Sequence, residues 1–434
     1  MMERSDLSRR LLLWGSLAAL VAFAVEFMAV GAFRVATGRW FSHSEVSALR
    51  QARAEGSLGS SAVGLGTTPG AHALHPYVGY VYDPAANTPD STAFHRNPIT
   101  PYGYLDRDPF IHKKSQEQYV VGILGGSVAY WLSVMAQDAI VEALADVGAA
   151  EGREVVIVRH ALGGFKQPQQ LMALTYNLSL GAEYDLIINV DGFNEIALPP
   201  AENVPQGVFP HYPRVWYLLA GGVADPQMMA AVGGLQALER QRAGLAQRAS
   251  ASIARFSVLG NFIWRARDHW IGVDILAQQR QIRELRSNTH DFQRRGPDIE
   301  YAVDDALFAD LARVWANSSL QMANLASSNG ASYLHFLQPN QYLPGSKPMG
   351  TEERALAFRQ DHPYGQSVAK GYPLLRTQGE KLRKQGVGFY DLSMLFAEER
   401  AVLYMDDCCH YNELGNQIVG RAIGDAIRRQ LAHE

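Results

Sequence analysis

Apolar residues run without interruption over Tyr119–Leu124, and comparable runs follow near 154–159, 184–190, 331–337 and 387–391. Continuous rather than alternating apolar runs suit strands buried on both faces. Between and after them, apolar positions recur at helical spacing near 128–146, 168–179, 301–328, 372–385 and 412–431. This alternation predicts an α/β fold built on a doubly wound parallel five-stranded sheet.

The N-terminal pattern is different. Leu11 to Phe33 is apolar apart from Glu26, and it follows Arg4, Arg9 and Arg10. About 20 such residues cross a hydrocarbon core, so the pattern predicts a transmembrane helix over 11–33 with residues 1–10 on the cytoplasmic side. A cleaved signal peptide ending at Val30-Gly31-Ala32 is the alternative; the length of the stretch favours a retained anchor. Both readings export the rest of the chain, and the anchor reading makes this a single-pass protein of the inner (cytoplasmic) membrane facing the periplasm or cell exterior. Residues 34–74, rich in Gly and Ser in their second half, read as a tether. Residues 75–434 read as one domain. Between Glu195 and Asp298 no strand-like run occurs, and Ala, Leu, Gln and Arg dominate 226–291. A helical insertion over about 196–300 leaves the sheet directly after Asn194, where it is placed to cover whatever lies there.

Three separated stretches carry chemistry. Gly125-Gly126-Ser127 ends the first apolar run at a strand-to-helix junction, where ligands bind in open α/β sheets and free backbone N–H groups favour negative charge. Asp191-Gly192-Phe193-Asn194 turns directly after the third run, offering a side-chain amide. Asp407-Cys408-Cys409-His410 precedes the last helix. Each has an ordinary reading, as a helix cap, a turn or solvated loop residues. Together they supply a nucleophile, an oxyanion donor, a base and a carboxylate to orient it.

With these residues the chain resembles the SGNH (GDSL-type) hydrolases, in particular membrane-anchored bacterial members. The resemblance covers about residues 117–430 and implies a flavodoxin-like sheet. It further implies an esterase acting through Ser127, His410 and Asp407, with an oxyanion hole formed by Ser127, Gly164 and Asn194. Gly164 follows the second strand-like run, and Gly163 beside it is the other match for that block. Gly126 and Glu195 stand where the family usually has Asp. Leu337-Gln338-Pro339-Asn340-Gln341-Tyr342 and Tyr102-Gly103-Tyr104-Leu105-Asp106 also look like anchored members. On resemblance, the substrate is an acylated carbohydrate or lipid, with acyl transfer to a glycan or a non-catalytic scaffold role as the alternatives.

Composition narrows the classes that remain. A formal net charge of −4 over 434 residues, without an extended basic run, suggests no nucleic-acid surface. The 13 histidines are scattered, with no His-Glu-x-x-His or paired-Cys spacing, so no metal is expected. Gly122 to Gly126 completes neither a dinucleotide nor a phosphate-loop motif, so no cofactor is expected. The two cysteines, Cys408 and Cys409, are adjacent and cannot staple distant segments; reduced thiols are favoured over a vicinal disulfide.

Overall fold

The computed structural model describes residues 2–54, 72–88, 92, 95–107, 111–220, 226–288 and 292–431. The chain divides into two compact units, Met1–Pro69 with Gly221–His290, and Gly70–Ala220 with Asp291–Glu434.

The larger unit opens with an antiparallel hairpin, β1 (His72–His75) and β2 (Gly79–Tyr82). Its centre is a sheet of β3 (Gln118–Gly125), β4 (Glu154–Arg159), β5 (Leu186–Asp191), β6 (Ser332–Leu337) and β7 (Gly388–Asp391). The strands are ordered β4-β3-β5-β6-β7 and every pairing is parallel. The chain thus reverses its direction of travel across the sheet between β4 and β5, which leaves a switch point at the carboxyl ends of β3 and β5. All of β5 and nearly all of β3 are buried, which is why these segments read as unbroken apolar runs.

Helices Ser127–Met135, Gln137–Ala145 and Glu413–Leu431 pack together, as do Asp304–Ser328, Pro363–Lys384, Gln169–Ser179 and Phe193–Leu198. The single helix expected over 128–146 is two, bent by 65° at Ala136. The last helix crosses both pieces with Gly420 against Ala136, so close that a Cβ at 420 would stand 2.6 Å from the alanine methyl.

The smaller unit joins the N-terminal helix (Met2–Thr37) to helices His43–Ala54, Pro226–Ala251 and Val258–Asn288. Its Leu13–Thr37 part is long and apolar enough to cross a membrane. Phe33, Val46, Ala246 and Trp264 form a small core among these helices. Glu26 accepts hydrogen bonds from the Ser257 hydroxyl and the N–H groups of Val258 and Leu259, so it caps the helix beginning at Val258. The segment read as one insertion over 196–300 therefore divides: 196–220 and 291–300 go with the α/β unit, 221–290 with the N-terminal helix. Of the stretch read as a tether, 43–54 is a helix of this unit, and residues 55–71 lie outside the described residues.

Candidate active site

The end of β3 turns sharply into a helix. Gly125 has φ +140°, and a Cβ there would lie 2.2 Å from the Val190 carbonyl oxygen of the neighbouring strand. No L side chain fits that position. Gly126 takes the helix N-cap and makes no side-chain hydrogen bond, so Ser127 is the first helical residue and not the cap. Its hydroxyl is thereby left for another partner.

That partner is His410. The Ser127 Oγ lies 2.7 Å from His410 Nε2, across 283 residues of sequence. The other ring nitrogen, Nδ1, is 2.5 Å from Asp406 Oδ2. Asp407, the residue expected here, points elsewhere and pairs with the exposed Arg359 at 2.5 Å. The correction has a local cause. The expectation assumed an extended loop in which neighbouring side chains alternate, but residues 405–410 form a closed turn. Met405 N–H donates to the His410 carbonyl, and Tyr404 and Tyr411 bridge behind it. Inside the turn, Asp406 Oδ1 accepts from the N–H groups of Cys408, Cys409 and His410 at 3.0, 3.1 and 3.3 Å. One carboxylate oxygen thus shapes the turn and the other faces the imidazole.

Burial pushes the His410 ring towards neutrality, but the hydrogen bond and charge of Asp406 outweigh it and raise its pKa above the usual 6.5. Burial likewise penalises the Asp406 carboxylate, and its bonds from His410 reverse the effect, giving a lowered pKa. The two shifts agree in sense, since each partner favours the other's charged form.

Three side chains of the stretch 337–342 hold the turn from behind. Asn340 donates to the Cys408 carbonyl, Gln341 to that of Asp406 at 3.0 Å, and the Tyr342 hydroxyl to that of Asp407 at 2.8 Å. The sequence singled out this stretch without a role. Its role is to fix the backbone that carries His410.

Asn194 lies in the helix Phe193–Leu198 just beyond β5. Its Nδ2 donates to the Phe165 carbonyl at 2.7 Å, and a Cβ on Gly126 would stand 2.3 Å from the same nitrogen. The amide therefore occupies the space beside Ser127 that an Asp at 126 would fill. This accounts for glycine at that position. One amide hydrogen is committed to Phe165, and the amide carries two. Gly164 lies in the 162–168 loop, which is tied to β3 by Leu162 N–H donating to the Gly125 carbonyl. Its φ of +79° suits glycine, and the Arg214 stem packs on it, with Cδ 2.8 Å from where a Cβ would be. Gly163 instead accepts from the Tyr80 hydroxyl through its carbonyl.

Glu195 is buried and accepts from the N–H groups of Gly192 and Gln167 and from the Gln170 amide, at 2.8, 3.0 and 3.0 Å. It locks the turn carrying Asn194 to the loop carrying Gly164. Burial and the nearby Asp191 push its pKa up. Asp191 accepts from Trp315 Nε1 and faces His335 Nε2, each at 2.7 Å. Arg214 donates two bonds to Glu202, which also accepts from Tyr364. Sequence reasoning missed these supporting groups because single Asp, His, Trp and Arg residues carry no local signal. A cavity of about 360 Å³ between residues 204–210 and 297–307 takes none of its lining from Ser127, Asn194 or His410.

The arrangement can deprotonate a hydroxyl and stabilise the imidazolium that forms. No family model matches this chain, and no curated protein does. Thirteen solved chains match in structure. One is a GDSL-like lipase from Bacteroides thetaiotaomicron VPI-5482, 12% identical, covering 72% of this chain and 89% of that one, with a TM-score of 0.33.

Proposed function

We propose that this protein is a serine esterase that releases acyl groups through Ser127, His410 and Asp406, displayed outside the cytoplasm on an N-terminal membrane anchor. The observation that carries the reading is the unbroken contact from Ser127 Oγ through His410 to Asp406. His410 takes the proton as Ser127 attacks the acyl carbonyl, and the tetrahedral oxyanion forms against the N–H groups of Ser127 and Gly164 and the Asn194 amide. Collapse expels the alcohol, which takes the proton back from His410. Water then repeats the sequence on the acyl-enzyme and frees the acid; an acceptor hydroxyl in its place gives acyl transfer. The substrate class is an acylated glycan or lipid, which suits an enzyme held at a membrane.

Labelling tests this directly. A fluorophosphonate should modify the full-length protein on Ser127, and Ser127→Ala should abolish both labelling and ester hydrolysis. Undiminished labelling of the variant would remove Ser127 as nucleophile. A folded wild type that neither labels nor hydrolyses would favour a scaffold that has kept the fold.

A further inference from the structure

In the smaller unit a second cavity, about 230 Å³, opens at the tip of the hairpin formed by helices Pro226–Ala251 and Val258–Asn288. Arg50, Arg248, Arg255 and Arg267 line it, with Ser252, Asn261, Ile263 and Trp264 among the rest; the lining holds no carboxylate. Arg50 is only 5% exposed, and it donates to neutral groups, Ser250 Oγ at 3.1 Å and Asn261 Oδ1 at 2.6 Å. The nearby Asp268 does not serve this cavity, since Arg53, Arg242 and Arg265 surround it. Burial and the like charge of Arg255 both weigh against the Arg50 cation. Trp264 adds a buried indole N–H with no acceptor among the described residues. A buried cation without a counter-charge is costly, and a bound anion removes that cost.

The cavity also has a defined neighbourhood. Ser257, Val258 and Leu259, which Glu26 caps, lie in sequence between the lining residues Arg255 and Gly260. Trp264 shares its core with Phe33 of the N-terminal helix. The site therefore abuts residues 26–33, the later part of the apolar span Leu13–Thr37, where Phe27 and Met28 are exposed. On the hairpin tip Ile253 is 87% and Phe256 67% exposed. Apolar tips beside cationic side chains are what an interfacial segment presents to acyl chains and headgroups.

We infer that this cavity binds the phosphate group of an anionic lipid in the leaflet where the N-terminal helix leaves the bilayer. Arg50 would meet the phosphate from within, the three exposed arginines from the rim, and Ile253 and Phe256 would lie among the acyl chains. The inference relies on the anchor reading and is independent of any chemistry at Ser127.

The test uses full-length protein in vesicle-derived nanodiscs of phosphatidylcholine with or without phosphatidylglycerol, and follows lipid retention by native mass spectrometry. Saturable, preferential retention of phosphatidylglycerol is expected. The Arg255→Gln/Arg267→Gln variant, which changes only exposed side chains, should bind about twenty-fivefold more weakly, at roughly fivefold per arginine. Equal retention of the two lipids, or unchanged binding by the variant, overturns the proposal. Stabilisation by inorganic phosphate alone, equal to that by phosphatidylglycerol, overturns the lipid as the source of the phosphate. Ester turnover enters none of these readings, so loss of the esterase reading leaves them intact.

Discussion

The two oxygens of Asp406 act on different things, one on the turn's N–H groups and one on the His410 ring, so its amide substitution separates geometry from charge. Asp406→Asn keeps an acceptor for the turn but cannot support an imidazolium as a carboxylate does; kcat should fall by about 10²–10⁴. Asp407→Asn loses only an exposed ion pair, of a kind worth about 0–1 kcal/mol, and should stay within roughly threefold of wild type. The reverse ranking would return the role to Asp407. The pH profile carries the same logic. Neutral His410 is the base and its pKa lies above 6.5, so kcat/KM should fall as pH drops through a midpoint above 6.5. In Asp406→Asn that midpoint should move down, because burial then acts unopposed. Asn194→Ala should lower kcat by about 10²–10³ with little change in KM. Because Asn194 also holds the Phe165 carbonyl, the variant should also lose about 1 kcal/mol of stability. A stable, fully active Asn194→Ala would place the oxyanion elsewhere. Ser127 and Asn194 stood out because each follows directly on an apolar run, and His410 because it precedes a helix. The choice between two adjacent aspartates was not legible, since it is made by turn hydrogen bonds that no periodicity encodes.

Among the elements, the short helix Phe193–Leu198 is the most exposed to disturbance from a distance. Helix Pro363–Lys384 crosses it at Gly371, where a Cβ would lie 2.0 Å from Ile196 Cγ2, and Ile196 is fully buried. Gly371→Ala should therefore destabilise the protein by about 1–3 kcal/mol through overpacking. It should also move Asn194, two residues from Ile196, so that kcat falls by more than the unfolded fraction explains. A normal melting temperature with normal kcat would show that the crossing is looser than its geometry implies. The five strands and most of the helices of the α/β unit could be read from the sequence to within a few residues, because burial on both sides leaves so strong a mark on composition. The bend at Ala136 could not, since it reflects the close crossing of a helix nearly 300 residues away. Nor could the allegiance of 221–290: an amphipathic helix declares that it has a partner but not which one.

At the scale of the whole molecule, two remote stretches, 1–69 and 221–290, make one unit. Cleavage near Ala32 would remove the Glu26 cap from the helix beginning at Val258, so the mature protein should retain its N-terminus. Peptide mapping of the membrane-extracted protein should recover residues around Glu26; a chain beginning near residue 33 would make the N-terminal stretch a signal peptide. The same pairing has a consequence for biosynthesis. Glu26 and its partner Val258 are 232 residues apart, and chains grow at about 5–20 residues per second, a gap of roughly 12–46 s. If the Leu13–Thr37 part enters the bilayer as it is made, Glu26, its one acidic side chain, waits there for that time before the groups that satisfy it exist. Slow translation over 27–258 lengthens the wait, so codon choice far downstream bears on whether the anchor is correctly seated.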